Sequence, residues 1–331
     1  MNFTQDIRVD NESIELINYL PNIGINNVRE EILEGLRATP KYLSPKFFYD
    51  GKGSDLFEQI THLKEYYPTR TEKKIISSLG EKLDVSFKNL HVIELGSGDS
   101  SKISLLFNQI SADELKTVTY FPVDISQSAI EKSASELIQQ FSLKNITGIV
   151  VDFFHQLKLI PKPGRRLFCF FGSTIGNFDT SQARGFMKQL GNTMQSGDSL
   201  LLGMDMVKNI SVLESAYNDD KGVTEEFNKN ILSVVNNLTD SDFSTSGFEH
   251  YAFFNVEKSR IEMHLKALKD VEVNLGSEKF HISKGETIHT ENSCKFNLDD
   301  IERFGMWAGL ETVQVFNDPN KWFSLVYYKK N

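Results

Sequence analysis

Cysteine is scarce: the 331 residues carry two, Cys169 and Cys294. So far apart, they make no disulfide framework and suit a reducing compartment such as the cytoplasm. The seven histidines, at 62, 91, 155, 250, 264, 281 and 289, fall in no H-E-x-x-H spacing and the cysteines in no C-x-x-C, so no metal site is expected. No apolar run approaches the ~20 residues of a membrane span, and no membrane association is expected. The opening MNFTQDIRVD has neither the basic nor the apolar region of a signal peptide. Positive charge is also short, with 36 Lys and Arg against 45 Asp and Glu and a net charge of −9. A field of that sign repels phosphate backbones and argues against a nucleic-acid partner. Neither an internal repeat nor a low-complexity tract is present. What remains is 40% hydrophobic and 24% charged, enough chain for one large domain or two moderate ones without staples.

The N-terminal part reads as helical at 13–20 and 27–38. An aromatic loop follows, in which Gly53-Ser54-Asp55 starts a helix over 56–63 and Pro68 opens another. Strand patterns then fall at 91–95, 117–123, 148–151, 167–171 and 199–203, separated by helical patterns near 100–110, 126–141 and 179–194. This alternation predicts an α/β fold, a doubly wound parallel sheet with right-handed crossovers. After Gly203 the rhythm breaks. Residues 209–238 read as helices, FEHYAFFNVEKSRIEMHLKAL as a hairpin-like pair, and short strands continue to about 291. A helix at 298–308 and strands at 311–316 and 323–329 close the chain as an antiparallel cap on the sheet. Segment 208–295 is thus an insertion that joins the N-terminal segment. The expected division is 70–207 plus 296–331 for one domain, and 12–69 plus 208–295 for a second, α+β domain.

The first strand runs into a glycine turn, VIELGSGDSSK. Glycines there let the backbone approach a ligand, with the next helix's N–H groups pointing at it. A dinucleotide site wants G-x-G-x-x-G. Here the third glycine is missing, and Asp99 stands where a pyrophosphate would sit, which weighs against NAD. S-adenosylmethionine carries no phosphate and needs close backbone approach, an acceptor for its amino group and an acid for its ribose diol. The second strand ends in Asp124, placed for the ribose. The third ends in Asp152, an acceptor for the adenine amino group, and Phe153, a stacking ring. Gly96 and Gly98, Asp124, then Asp152-Phe153 on three successive strand tips form the ordered signature of a class I methyltransferase, a Rossmann-like sheet. An aspartate after a strand is equally a turn former or a helix cap. Lys102, in the first turn of the helix, either reaches a cofactor carboxylate or is solvated. At the fourth tip, Gly172-Ser173-Thr174 turns the chain. Asn177 lies just beyond as a candidate for holding a substrate carboxylate or amine, since Asp179 or Thr180 already serves as a helix cap.

TPKYLSPKFFYDGKGSDLFEQITHLKEYYPTRTE, IELGSG, FFGSTIGNF, GDSLLLGMDMVK, AYNDDKGVTEEFNKN and TENSCKF together resemble the histidine-specific S-adenosylmethionine-dependent methyltransferase family, whose best-known member opens ergothioneine synthesis. The resemblance runs from about residue 28 to the C-terminus. It implies methylation of the α-amino group of free L-histidine, to the trimethylated betaine. It also implies a methyltransferase domain at 70–207 plus 296–331, and a substrate-binding domain at 12–69 plus 208–295. By the same resemblance Tyr49 belongs to the site around the amine and Tyr66 contacts the imidazole end. Gly172 and Asn177 line the pocket and hold the amino acid backbone, and Tyr217 helps grip the carboxylate. Met263 lines the pocket, and Glu291 and Ser293 grip the ring. Without the resemblance, the aromatic residues read equally as core and Glu291 as a solvated edge residue.

An ammonium has no lone pair, so the amine must be presented neutral and in line with the leaving sulfur. No strong general base is expected, with Tyr49 orienting the amine. A monomer acting on a small-molecule amino acid is expected. Two other readings are a relative acting on another small amine, such as a tryptophan derivative, and an inactive cofactor-binding module. Glu291 and Ser293 argue against the first, because an indole N–H needs no such polar pair. Retention of every pocket residue argues against the second.

Overall fold

Buried apolar runs alternating with amphipathic helices build one nine-stranded sheet in the computed structural model, which describes residues 3–9, 12–20, 25–162 and 164–331. The chain divides into two units. The first comprises Met1–Pro21, Arg70–Met206 and Phe296–Asn331; the second comprises Asn22–Thr69 and Val207–Lys295.

Five parallel strands form the centre of the first unit. In spatial order they are Asn145–Val150, Thr119–Asp124, His91–Leu95, Arg166–Phe170 and Ser199–Asp205. Numbered along the chain this is 3-2-1-4-5. The order reverses between His91–Leu95 and Arg166–Phe170, which opens a crevice at the carboxyl ends of those strands. Their residues are almost wholly buried, as a parallel sheet covered on both faces requires. Helices Ser101–Phe107, Gln127–Gln140 and Thr180–Thr193 make the crossovers. The returning pair Glu311–Asn317 and Phe323–Lys329 closes one side, with Phe323–Lys329 antiparallel to Ser199–Asp205. Val92, Ile103, Phe107, Tyr120, Leu167 and Leu325 belong to one core cluster.

The other side departs from expectation. Residues 13–20 are not helical: Glu12–Asn18 is a strand, parallel to Asn145–Val150 and paired on its far side with Phe3–Val9. Ile14 and Leu16, two apart, are both buried at 1% exposure. That period of two fits a strand, and the pairing covers an edge otherwise left open. Residues 12–20 consequently belong to the cofactor-side unit rather than to the second domain.

The second unit holds a four-stranded sheet in the order Lys41–Tyr42, Thr287–Cys294, Arg260–Ala267, Phe248–Asn255, with a separate hairpin, Val271–Leu275 and Glu278–Ile282. The 17-residue helix Val223–Thr239 packs on both Phe248–Asn255 and helix Gly51–Thr61. The latter begins earlier than the Gly53-Ser54-Asp55 start. Asp50 is its cap, accepting from the Gly53 N–H at 2.7 Å, because a Cβ at Gly53 would lie 1.7 Å from the Phe48 carbonyl and no side chain fits there.

Candidate active site

In the first unit, the glycine turn after His91–Leu95 holds Gly96 at φ +68° and Gly98 at φ +43°, the left-handed region. A Cβ on Gly96 would lie 3.6 Å from the Phe153 ring, so the first and third strand tips meet there. Asp124 ties in the second: its carboxylate accepts from the Gly98 N–H at 3.1 Å and from the Ser126 N–H at 2.9 Å. Burial pushes its carboxyl up, and the backbone donors pull it back. Between the glycines, the Ser97 hydroxyl is buried with no partner in the protein. Open backbone, an orphaned hydroxyl and a half-buried acid fit a nucleoside-bearing, phosphate-free ligand. Asp152 caps the short helix Phe153–Gln156 through the Phe154 N–H at 3.1 Å. Phe153 is itself buried, against Phe154, Phe170 and Phe186. The capping role read from sequence is therefore present at Asp152, and Phe153 is core as well as candidate stacking ring.

The fourth tip is held by a residue that the sequence reading passed over. Glu72, on helix Tyr67–Ser77, is fully buried. Both its oxygens accept from the Gly172 N–H, at 2.9 and 2.8 Å, and it pairs with Lys102 at 2.8 Å. Lys102 is thus not simply solvated: it is anchored beside the tip, with its Nζ 3.0 Å from where a Gly172 Cβ would stand. Gly172 (φ +78°) and Ser173 (φ +55°) are both left-handed, and the Ser173 hydroxyl accepts from the Asp205 N–H at 2.9 Å. Asn177 ends the turn Thr174–Asn177. The next helix is capped by Asp179 in a capping box with Gln182, which leaves Asn177 outside that task.

Within the central strand, Glu94 of the IELGSG run is buried. Burial raises its pKa to about 8, and Tyr120 donates to it. It is a neutral acid at ordinary pH.

In the second unit the candidate residues also converge. Tyr49, 43% exposed, meets Phe57 and Phe227 edge-on, with ring centres 5.8 and 6.0 Å apart. Phe57 meets Tyr66, and Tyr66 meets Tyr217 at 6.1 Å. Met263 faces Glu291 across strands Arg260–Ala267 and Thr287–Cys294. The Tyr217 hydroxyl donates to Ser293 Oγ at 2.7 Å. Lys295, which the sequence reading also passed over, is buried and donates to Ser293 Oγ at 2.8 Å and Tyr217 Oη at 3.1 Å. Burial raises Glu291 to about 7, offset in part by the Lys295 charge. No signal in a single sequence separates Glu72 or Lys295 from solvated charges; only the three-dimensional packing does.

A 3-2-1-4-5 parallel sheet closed by an antiparallel return, with a Gly-x-Gly turn and acids on the next two tips, defines a class I S-adenosylmethionine-dependent methyltransferase. Its fold is that of the solved mitomycin 7-O-methyltransferase, with a TM-score of 0.50 at 10% identity over 93% of this chain and 68% of that one. Within that class the chain belongs to the histidine-specific, S-adenosylmethionine-dependent methyltransferase family, whose model matches residues 28–330. It is 38% identical to the histidine N-alpha-methyltransferase of Mycolicibacterium smegmatis, over 95% of this chain and 98% of that one. It is also 38% identical to that of Mycobacterium tuberculosis, over 88% and 91%. No helix among the described residues is long and apolar enough to cross a membrane.

Proposed function

We propose that this enzyme methylates the α-amino nitrogen of free L-histidine, carrying it to the trimethylated betaine. The observation that carries the substrate is the polar corner of the second unit, where a buried carboxylate, Glu291, stands on one strand face with Ser293. Imidazole has one N–H and one lone pair. Glu291 accepts the first and Ser293 serves the second, while Tyr66 and Met263 line the ring. In the first unit, Gly96, Gly98, Lys102, Asp124, Asp152 and Phe153 would hold S-adenosylmethionine, which supplies an electrophilic methyl group. Gly172 and Asn177 hold the amino acid backbone, Tyr217 supports Ser293 and the carboxylate end, and Tyr49 orients the neutral amine. All these residues come from one chain, so a monomer suffices, and sedimentation would test that. The deciding experiment is mass spectrometry of a panel of free amino acids incubated with enzyme and S-adenosylmethionine. Histidine should gain methyl groups while phenylalanine and leucine stay unmodified. Preference for a non-imidazole amine would overturn the reading.

A further inference from the structure

We infer that Lys295 and Tyr217 lock Ser293 as a hydrogen-bond donor, so that the site takes the histidine ring only in its neutral form. The inference rests on the functional reading above and deepens it. A serine hydroxyl has one hydrogen and two acceptor lone pairs. At Ser293 both lone pairs are taken, one by Lys295 Nζ at 2.8 Å and one by Tyr217 Oη at 2.7 Å. An ammonium has only donors, so the Lys295 contact cannot be reversed. The hydroxyl hydrogen is what Ser293 has left to offer a ligand. It suits the bare nitrogen of a neutral imidazole whose N–H meets Glu291. An imidazolium presents two N–H groups, and its second would meet a hydroxyl with no acceptor capacity.

The charged and titratable groups facing this corner within the unit are Glu291 on its own strand, Lys295 just past that strand's end, and Tyr217 and Tyr66 from the packed segments. Alternation puts Arg260, Glu262 and His264 on the opposite face of the sheet, and the register shift between Met263 and His264 turns His289 to that face beside His264. Lys295 is thus a positioning residue: it acts through Ser293 and also favours the ionised Glu291.

The test is a calorimetric titration of the S-adenosylhomocysteine complex with the trimethylated betaine of histidine, whose quaternary nitrogen does not titrate. It is run through and below the ordinary imidazole pKa of ~6.5. Wild type should weaken steeply as pH falls. Lys295→Met and Tyr217→Phe each free one Ser293 lone pair, so their complexes can carry one more proton. Their acid limbs should be shallower than that of wild type by about tenfold in Kd per pH unit. Lys295→Arg keeps the donor and should keep the steep limb. A merely structural role would weaken binding equally at every pH. Parallel limbs in wild type, Lys295→Met and Tyr217→Phe, with the betaine bound, would overturn this inference and leave the functional reading standing. Failure of wild type to bind the betaine or methylate histidine at any pH would overturn both.

Discussion

Glu72 offers the most direct probe of how the fourth strand tip is held. Its carboxylate is wholly inaccessible to solvent and binds two groups: the Gly172 N–H through both oxygens, and Lys102 at 2.8 Å. Glu72→Gln preserves the shape and one acceptor for Gly172, but turns an amide NH2 toward the Lys102 ammonium. Breaking a buried ion pair by removing one partner costs ~3–5 kcal/mol. Lys102 keeps 18% of its side chain exposed, so water recovers part of that, and ~2–3 kcal/mol is expected. In a unit of this size that lowers the melting temperature by about 5–10 °C. The tip also loses the ion pair that anchors Lys102 beside Gly172. Affinity for S-adenosylhomocysteine should therefore fall by about tenfold, the equivalent of ~1.4 kcal/mol. Thermal melting and calorimetric titration measure the two effects. The double variant with Lys102→Met removes the stranded cation and should recover at least ~1 kcal/mol relative to the sum of the single changes. Additive losses, or unchanged cofactor affinity in Glu72→Gln, would refute the idea that the buried carboxylate couples helix, lysine and strand tip.

Asp124→Ala removes the acceptor for both Gly98 and Ser126. At ~1.5–3 kcal/mol for a hydrogen bond to a charged group, S-adenosylhomocysteine affinity should drop roughly ten- to hundredfold; unchanged binding with the fold intact would reduce Asp124 to a turn former. Glu94, raised by burial to about 8 from the ordinary 4.5, holds a proton in the folded state that the unfolded chain has released. Its contribution to stability is therefore fully present below the unfolded value and is lost as pH rises through that window, by at most ~1.4 kcal/mol per pH unit. Urea denaturation across that window should show Glu94→Gln losing less stability than wild type, and equal slopes would count against a protonated Glu94. Glu291→Ala should weaken histidine binding by ~2–4 kcal/mol and relax discrimination against aromatic amino acids, because the alanine wall takes an apolar ring as readily as an imidazole. Full histidine selectivity in the product panel would remove Glu291 from the ring anchor.

The contrast between what the sequence announces and what it conceals follows from range. The strands around 91–95, 167–171 and 199–203 announce themselves because burial on both faces demands unbroken apolar runs, and observed strands occupy those places. The final helix, Leu298–Ala308, is bounded in sequence by a capping asparagine and a left-handed glycine, Asn297 and Gly309, and its limits match expectation. Residues 13–20 read as a helix because SIELINYL satisfies a helical stripe loosely, and that reading is wrong: pairing with the open edge of Asn145–Val150 settles the period as two. Glycine turn and strand-tip acids were readable because each sits next to the strand that positions it.

Glu72 and Lys295 were hidden for the opposite reason. In YPTRTEKK a glutamate between threonine and lysines has the surroundings of a solvated helix face, and in SCKF a lysine after a strand looks like an edge charge. Each is in fact among the most buried charged groups of its unit. Neither is placed by its sequence neighbours: Glu72 is fixed by partners 30 and 100 positions on, Lys102 and Gly172, and Lys295 by Tyr217 as well as by the nearby Ser293. Residues that touch a ligand recur in recognisable strings because the ligand's chemistry constrains their type. Residues that hold those groups in place are constrained only by where distant segments meet, and a buried charge is tolerated there because it meets an opposite charge or hydrogen-bond partners. A donor-only ammonium set against two hydroxyls shows how such a residue sets direction: Lys295 occupies one lone pair of Ser293 and Tyr217 the other, and on the inference drawn above that pair of contacts would select the form of the ring that is held.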